Sequence, residues 1–136
     1  MKGSVEETGM KEAYNRLMFL RNKISVVVGG GLNRVCRDGA KRSVPNTPID
    51  TGALRSSIHA APVIVEGVKG EGGITADVDY AFKMHEGNYG LGPKSAAQPG
   101  TPEGGVGPRY ISRVVEAHAL STWIKIWEEW CAQVLK

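Results

Sequence analysis

The side chains best suited to metal binding or acid–base catalysis in this chain are three histidines and two cysteines: His59, His85, His118, Cys36 and Cys131. The histidines stand far apart, and His85-Glu86 lacks the following histidine that a zinc-binding helix needs. The cysteines lack the short spacing of a metal site. The sequence therefore predicts no metal, no cofactor and two thiols that stay reduced.

Other patterns that could support catalysis are weak. The Gly-x-Ser-x-Gly sequence of a hydrolase nucleophile does not occur. Asp77 and Asp79 share one face of a predicted strand, a pattern more typical of a solvated face than of a carboxylate pair. The Gly29–Gly31 run lacks the preceding strand and the following Lys-Ser or Lys-Thr of a phosphate loop. We therefore predict that the protein is not an enzyme.

Hydrophobic spacing indicates the elements that must position any site. In chain order it predicts helices over 10–28 and 32–44, strands over 59–68 and 74–80 with a turn at 69–73, a helical turn over 81–87 and a helix over 109–136. Three glycines, at 29–31, weaken the pattern by roughly 1 kcal/mol per residue, so it predicts either two helices or one long helix with a weak middle. Either the helix breaks there, or the glycines let a neighbour approach closely.

Two C-terminal features favour contacts with other chains. Residues 87–107 include ten Gly or Pro among 21 and predict a flexible loop without a core of its own, in which Tyr89 and Leu91 are candidate contacts. Trp123, Trp127 and Trp130 fall within eight residues of the last helix. Tryptophan is enriched at interfaces, so we predict an interface there, the alternative being that all three belong to the core.

The segment from Pro48 to Ile58 predicts a rigid corner between a helix and the sheet. Its structural residues are Pro48, Asp50, Thr51, Gly52 and Leu54. The proline stops the preceding helix, Asp50 or Thr51 can cap the next turn, and glycine permits a close bend. Arg55 is displayed beside the corner, where its five donors suit a carboxylate on a neighbouring subunit or, within the chain, Asp50 or Glu86.

The length and the charge distribution of the chain limit its domain number and its possible partners. A chain of 136 residues suits a single domain with one core, over residues 1–136. No run approaches the ~20 apolar residues of a membrane span. Residues 1–58 carry ten Lys and Arg against five Asp and Glu, whereas residues 59–136 carry seven against nine. Such asymmetry suits head-to-tail contacts between copies, and equally contact with a polyanion such as DNA.

An ordered set of motifs resembles a known family. The basic helix ending at Ala40-Lys41 is followed by Pro48-x-Asp50-Thr51-Gly52-x-Leu54-Arg55-x-Ser57-Ile58, then a hairpin, Tyr80-Ala81, Glu86-Gly87, and Pro108-Arg109-Tyr110-Ile111 before the last helix. Over roughly residues 30–120 this resembles the tail-completion and head–tail joining proteins of long-tailed double-stranded DNA phages, also described as minor tail, tail-terminator or neck proteins.

The resemblance implies an α+β fold with N-terminal helices, a small antiparallel sheet, the Gly/Pro-rich loop and a C-terminal helix packed on the sheet. It implies a structural virion protein, assembled in the bacterial cytoplasm, whose homo-oligomeric ring, commonly a hexamer, joins the tail tube to the capsid connector and head-closure proteins. Contact with DNA in the ring lumen would follow from the basic helix. The alternative from the residues alone is a small basic nucleic-acid-binding module.

Overall fold

A computed structural model describes residues 2–136, with side chains from residue 9 onward. The fold is α+β, as predicted: helices flank two small antiparallel sheets. In chain order the helices are α1 (Lys2–Ser43), α2 (Ala53–Ser57), α3 (Ala81–Glu86), α4 (Pro93–Ala96), α5 (Ser112–His118) and α6 (Thr122–Val134), with a short 3-10 turn at Val44–Asn46. The strands are β1 (Ile58–Ala60), β2 (Ile64–Glu66), β3 (Lys69–Glu71) and β4 (Ile74–Ala76).

The glycines at 29–31 let α6 pack closely on α1, and α1 continues through them as one helix. A Cβ atom on Gly30 would lie closer than 3.0 Å to the indole of Trp130, and one on Gly31 would lie 2.8 Å from Trp127 Cε2. Of the two possibilities left open by the sequence, the close approach of a neighbour is therefore confirmed. The helix runs through Gly29–Gly31 because α6 packs against this bare stretch of backbone.

The hairpin packs on a neighbouring face of α1, and its turn lies earlier than predicted. β1 pairs with β4, and β2 pairs with β3 around a two-residue turn in which Gly67 has φ +62°. The prediction of a turn at 69–73 was wrong, because Lys69–Glu71 is a strand. Gly70 is a glycine because α1 approaches it: a Cβ there would lie 2.6 Å from Leu32 and Val28.

Beyond the hairpin, the core centres on the corner and on the residues before α5. Leu54 is 2% exposed, Tyr110 1% and Val114 0%. The Tyr110 hydroxyl donates a hydrogen bond of 2.8 Å to the Ala81 carbonyl. Burial, with a smaller contribution from two nearby tyrosines, raises the pKa of Tyr110 to about 12. The core therefore ties the corner, the start of α3 and the last segment together.

The C-terminal part differs from prediction in two respects. The single helix predicted over 109–136 is two helices, because the chain leaves helical geometry at Ser121 (φ −133°, ψ −89°). α6 packs on α1 where the resemblance implied packing on the sheet. The second predicted strand also ends early, at Ala76 instead of residue 80. The short helix predicted before Gly87 is confirmed as α3.

Candidate functional site

The structure brings the corner and the segment 87–107 together around one groove of about 670 Å³. Its wall includes the corner residues Pro48, Ile49, Asp50, Thr51 and Leu54, the α3 residues Lys83 and Met84 with Tyr80 before them, and residues Tyr89 to Ser95. Of the residues predicted from the sequence, Pro48, Asp50, Thr51, Leu54, Tyr89 and Leu91 therefore share one site. We name it the corner groove.

Local conformation builds the corner wall. Gly52, just before α2, has φ +87°, a left-handed conformation that favours glycine. The Thr51 hydroxyl accepts a hydrogen bond of 3.3 Å from the Ala53 amide, as predicted, but the N-cap position of α2 is Gly52, which provides no side-chain cap. Leu54 points into the core, where it is buried with Ile58, as the i, i+4 spacing indicated.

A buried serine fastens the opposite wall to the corner. The Ile49 amide donates to Ser95 Oγ (2.8 Å), and the Ser95 hydroxyl lies 3.1 Å from the Ile49 carbonyl. Lys94 Nζ donates to the Asp50 carbonyl at 2.9 Å. The segment predicted as a flexible loop thus contains the helix α4, joined to the corner by these bonds.

Tyr89 and Leu91 occupy different positions in this groove. The Tyr89 hydroxyl donates to the Met84 carbonyl at 2.6 Å, and burial raises its pKa against the opposing charge of Arg113. Leu91 is 44% exposed. Tyr89 therefore helps to hold the wall in place, whereas Leu91 offers an apolar side chain to a ligand.

The chemistry of the corner groove suits binding. Apolar side chains make up most of its wall, and its charged residues are Asp50, Lys83 and Lys94. Among the described residues, no group of three or more His, Cys, Asp or Glu side chains could hold a metal ion. A largely apolar groove with two lysines fits a ligand that combines apolar groups with an acidic group, such as a polypeptide segment with an acidic residue.

Arg55 is engaged within the chain, with partners other than those considered from the sequence. Its Nε donates to the Thr47 carbonyl at 2.8 Å and its Nη2 to the Pro45 carbonyl at 3.1 Å. Burial lowers the pKa of this arginine. The guanidinium thus satisfies carbonyls just past the end of α1, in place of a pair with Asp50 or Glu86. The predicted role of Arg55 at an interface stays a prediction, because these contacts lie within one chain.

We expect Arg55→Lys to lower the free energy of unfolding by about 1 kcal/mol, because an ammonium cannot reproduce the two-donor fork that reaches both carbonyls. Urea denaturation followed by tryptophan fluorescence measures this change. Arg37→Lys, at an exposed position of α1, is the matched control and should leave the midpoint unchanged. Equal stability of the two variants would contradict a capping role for Arg55.

The three tryptophans lie on α6, which packs against α1. Trp123 Nε1 donates to Asp38 Oδ2 at 3.0 Å, and Trp130 Nε1 donates to the Val26 carbonyl at 3.2 Å. All three indoles are half-buried, since one side of each packs on α1. The alternative that the tryptophans belong to the core therefore holds for the part of their surface that packs on α1. Their role at an interface stays a prediction for the exposed remainder.

Trp123 and Trp127 line a second groove of about 520 Å³. Its wall is formed by Val35, Ala119, Trp123, Ile124, Trp127, Glu128 and Cys131. Ile124 is 44% exposed, and Leu120, just before α6, is 89% exposed. We name this surface the α6 groove. It is nearly all apolar, and Glu128 is the charged residue in its wall.

A buried acid–histidine pair was missed by the sequence analysis. His118 Nε2 lies 2.6 Å from Glu103 Oε1, and the two side chains are 12% and 3% exposed. The other ring nitrogen of His118 lies 2.9 Å from the Thr122 hydroxyl, and Asn46 Nδ2 contacts Glu103 Oε2 at 3.5 Å. Burial alone would raise the pKa of Glu103, but the hydrogen bonds from His118 and Asn46 outweigh it and lower the pKa.

Arg113 completes this cluster from α5. It donates to the carbonyls of Glu103 (2.7 Å), Gly105 (2.8 Å) and Pro108 (3.0 Å). The cluster thus fixes the end of the segment 87–107 against α1 and the last helices. Its members are separated by up to 76 positions in the sequence, so no local spacing indicated it.

Comparisons of the chain with models of protein families, with curated proteins and with solved structures found no match. Within residues 2–136, no helix combines the length and the apolar character needed to cross a bilayer. The groove geometry and the surface chemistry are therefore the structural basis for a functional proposal.

Proposed function

We propose that this chain is a structural subunit of the neck of a long-tailed DNA phage. In this role it forms a ring that completes the tail and joins it to the capsid connector. The observation that carries the proposal is the apolar surface left in solvent at three separate places: the first half of α1, the corner groove and the α6 groove. Apolar patches on a small protein are typical of surfaces that other chains cover.

The resemblance of the corner and of the following motifs to neck proteins supports the identity of the assembly. Four of the corner residues that carry the resemblance, Pro48, Asp50, Thr51 and Leu54, also line the corner groove, which supports a role in binding. The basic first half and the more acidic second half of the chain support contacts between unlike faces of neighbouring copies. The tail-tube and head-closure proteins would meet the remaining surfaces.

Complementation of a phage that lacks this gene tests the proposal. Bacteria supplying the wild-type chain should yield joined virions, in which electron microscopy of labelled protein finds the chain at the neck. Supplying Leu91→Asp should leave filled heads and free tails, because a charge in the corner groove blocks its partner. The control is Val68→Asp, at a 67% exposed position on the hairpin turn. Absence of the wild-type chain from purified virions would overturn the proposal.

A point substitution is a sharper probe than removal of residues 90–105. That deletion would also remove Ser95 and Glu103, whose hydrogen bonds tie the segment to the corner and to His118. Loss of head–tail joining could then result from unfolding. Leu91→Asp changes one exposed side chain and keeps those bonds.

A second candidate function, non-specific nucleic-acid binding, is favoured by one observation. Arg16, Lys23, Arg34, Arg37 and Lys41 recur at intervals close to whole helical turns along one side of α1. Lys23 and Arg34 contact α6 there, through the Val134 carbonyl and the Trp130 ring, so the ridge offered to a polyanion consists of Arg16, Arg37 and Lys41. Such a ridge suits the phosphate backbone of DNA. Binding by a monomer that weakens steeply with salt would favour this function. A discrete oligomer with negligible DNA affinity would favour the ring.

A further inference from the structure

The first half of α1 carries a row of exposed apolar side chains spaced alternately by three and four residues. The row consists of Met10, Ala13, Leu17, Leu20 and Ile24, and we name it the α1 stripe. Met10 is 75% exposed and Leu17 66%. This spacing is that of the contact seam of a coiled coil. The same intervals lead on to Val27 and Gly31, where Trp127 packs, so the stripe continues the face that α6 covers.

The stripe cannot reach the α6 groove of its own chain. Lys23 Nζ donates to the Val134 carbonyl at 2.8 Å, which places the end of α6 beside Lys23. The groove lies farther along α1, around Val35. Leu17 precedes Val35 by 18 residues, or about 27 Å of straight helix. An occupant of the stripe must therefore come from another chain.

Charge distinguishes between possible occupants. Arg16, Arg21 and Lys23 border the stripe, so two stripes packed against each other would bring like charges together. The α6 groove is apolar, and the charged residue in its wall is the acidic Glu128. The stripe and the groove therefore complement each other in both apolar surface and charge.

We propose that the α1 stripe of one copy docks in the α6 groove of a second copy. The contact joins unlike surfaces, so each copy uses its stripe toward one neighbour and its groove toward the other. Repetition of such a contact produces a ring if the rotation closes and a filament if it does not. The inference rests on the proposed function, because it names the contact by which the neck ring would assemble.

Mixing two complementary variants tests the contact. Leu17→Asp disables the stripe and keeps the groove, whereas Ile124→Asp does the reverse. Both positions are exposed, so the folds should survive. In sedimentation experiments each variant alone should be monomeric, the wild type should form larger species, and the mixture should give a one-to-one dimer. We expect each substitution alone to weaken association about tenfold or more, since it places a charge in an apolar contact.

Phe19→Asp is the matched control for the stripe, because Phe19 is 59% exposed but lies on the opposite side of the helix. It should associate like the wild type. The docked position is checked by replacing Leu17 with photoreactive p-benzoylphenylalanine. Irradiation of mixed isotope-labelled and unlabelled chains should cross-link it to residues 119–131 of a second copy. Cross-links elsewhere, or dimers formed by Ile124→Asp alone, would overturn the proposal.

Failure of this contact can be separated from failure of the neck assignment. If the wild-type chain occupies virion necks and Leu17→Asp supports normal virion assembly, the stripe–groove contact is wrong and the neck function stands. If the cross-link forms but the chain is missing from purified virions, the contact stands and the neck function is wrong.

Discussion

Replacing Gly30 and Gly31 together by alanine is expected to lower the free energy of unfolding by about 2 kcal/mol. The new methyl groups would meet the rigid indoles of Trp130 and Trp127 at less than 3.0 Å. Over-packing of this kind costs roughly 1–3 kcal/mol per site. Alanine returns about 1 kcal/mol per site through helix propensity, which leaves a net loss. Denaturant unfolding followed by circular dichroism measures the change.

Gly9→Ala is the matched control. Gly9 lies in the same helix at an exposed position, with open space where its Cβ would stand. The same chemical change there should raise stability by up to about 1 kcal/mol. A rise in the free energy of unfolding for Gly9→Ala, together with a fall for the double variant, would demonstrate packing of α6 on the glycines. A double variant as stable as Gly9→Ala would show that the two helices do not meet as described.

Replacing Glu103 by leucine is expected to cost about 3 kcal/mol, because it leaves His118 and Asn46 buried without their carboxylate partner. The fluorescence of the half-buried tryptophans of α6 gives the unfolding curve. Glu103→Gln is the matched variant: its amide keeps the shape and a hydrogen-bonding oxygen, and it should cost about 1 kcal/mol. Equal losses of stability for the two variants would mean that His118 and Asn46 do not depend on the carboxylate of Glu103.

The lowered pKa of Glu103 fixes the sign of a pH effect. A carboxyl with a lower pKa in the folded state binds protons more weakly there than in the unfolded chain. Its contribution to stability is therefore present above the ordinary pKa of 4.5 and is lost as the pH falls through the folded pKa. Unfolding curves from pH 6 to pH 3 should show a steeper decline for the wild type than for Glu103→Gln. Equal declines in stability for the wild type and Glu103→Gln would contradict a lowered pKa of Glu103 in the folded state.

Local chemistry made the corner predictable from the sequence. Proline fixes its own φ, glycine alone adopts φ +87° readily, and the spacing of Leu54 and Ile58 defines a buried face. Each of these effects acts within a few residues. The corner, the short helix α3 and the helical character of the N-terminal segment were therefore predictable without knowledge of distant neighbours.

Tertiary structure decided what three of the glycines do, and it alone assembled the buried polar cluster around Glu103. Gly30 and Gly31 weaken a helix locally, yet packing against Trp130 and Trp127 makes a bare backbone favourable there. Gly70 suggested a turn, but it lies in a strand because α1 passes close to it. In all three cases the missing side chain makes room for a residue distant in sequence.

The sequence alone determined the α+β class, the basic α1, the corner and the candidate residues Tyr89 and Leu91 of the corner groove. It could not determine that the segment 87–107 joins the corner through Ser95, or that Glu103 meets His118. Those contacts depend on chain elements brought together only by folding, and a buried hydrogen bond has no signature in the spacing of its partners. Packing of distant residues therefore decided which apolar surfaces stayed exposed.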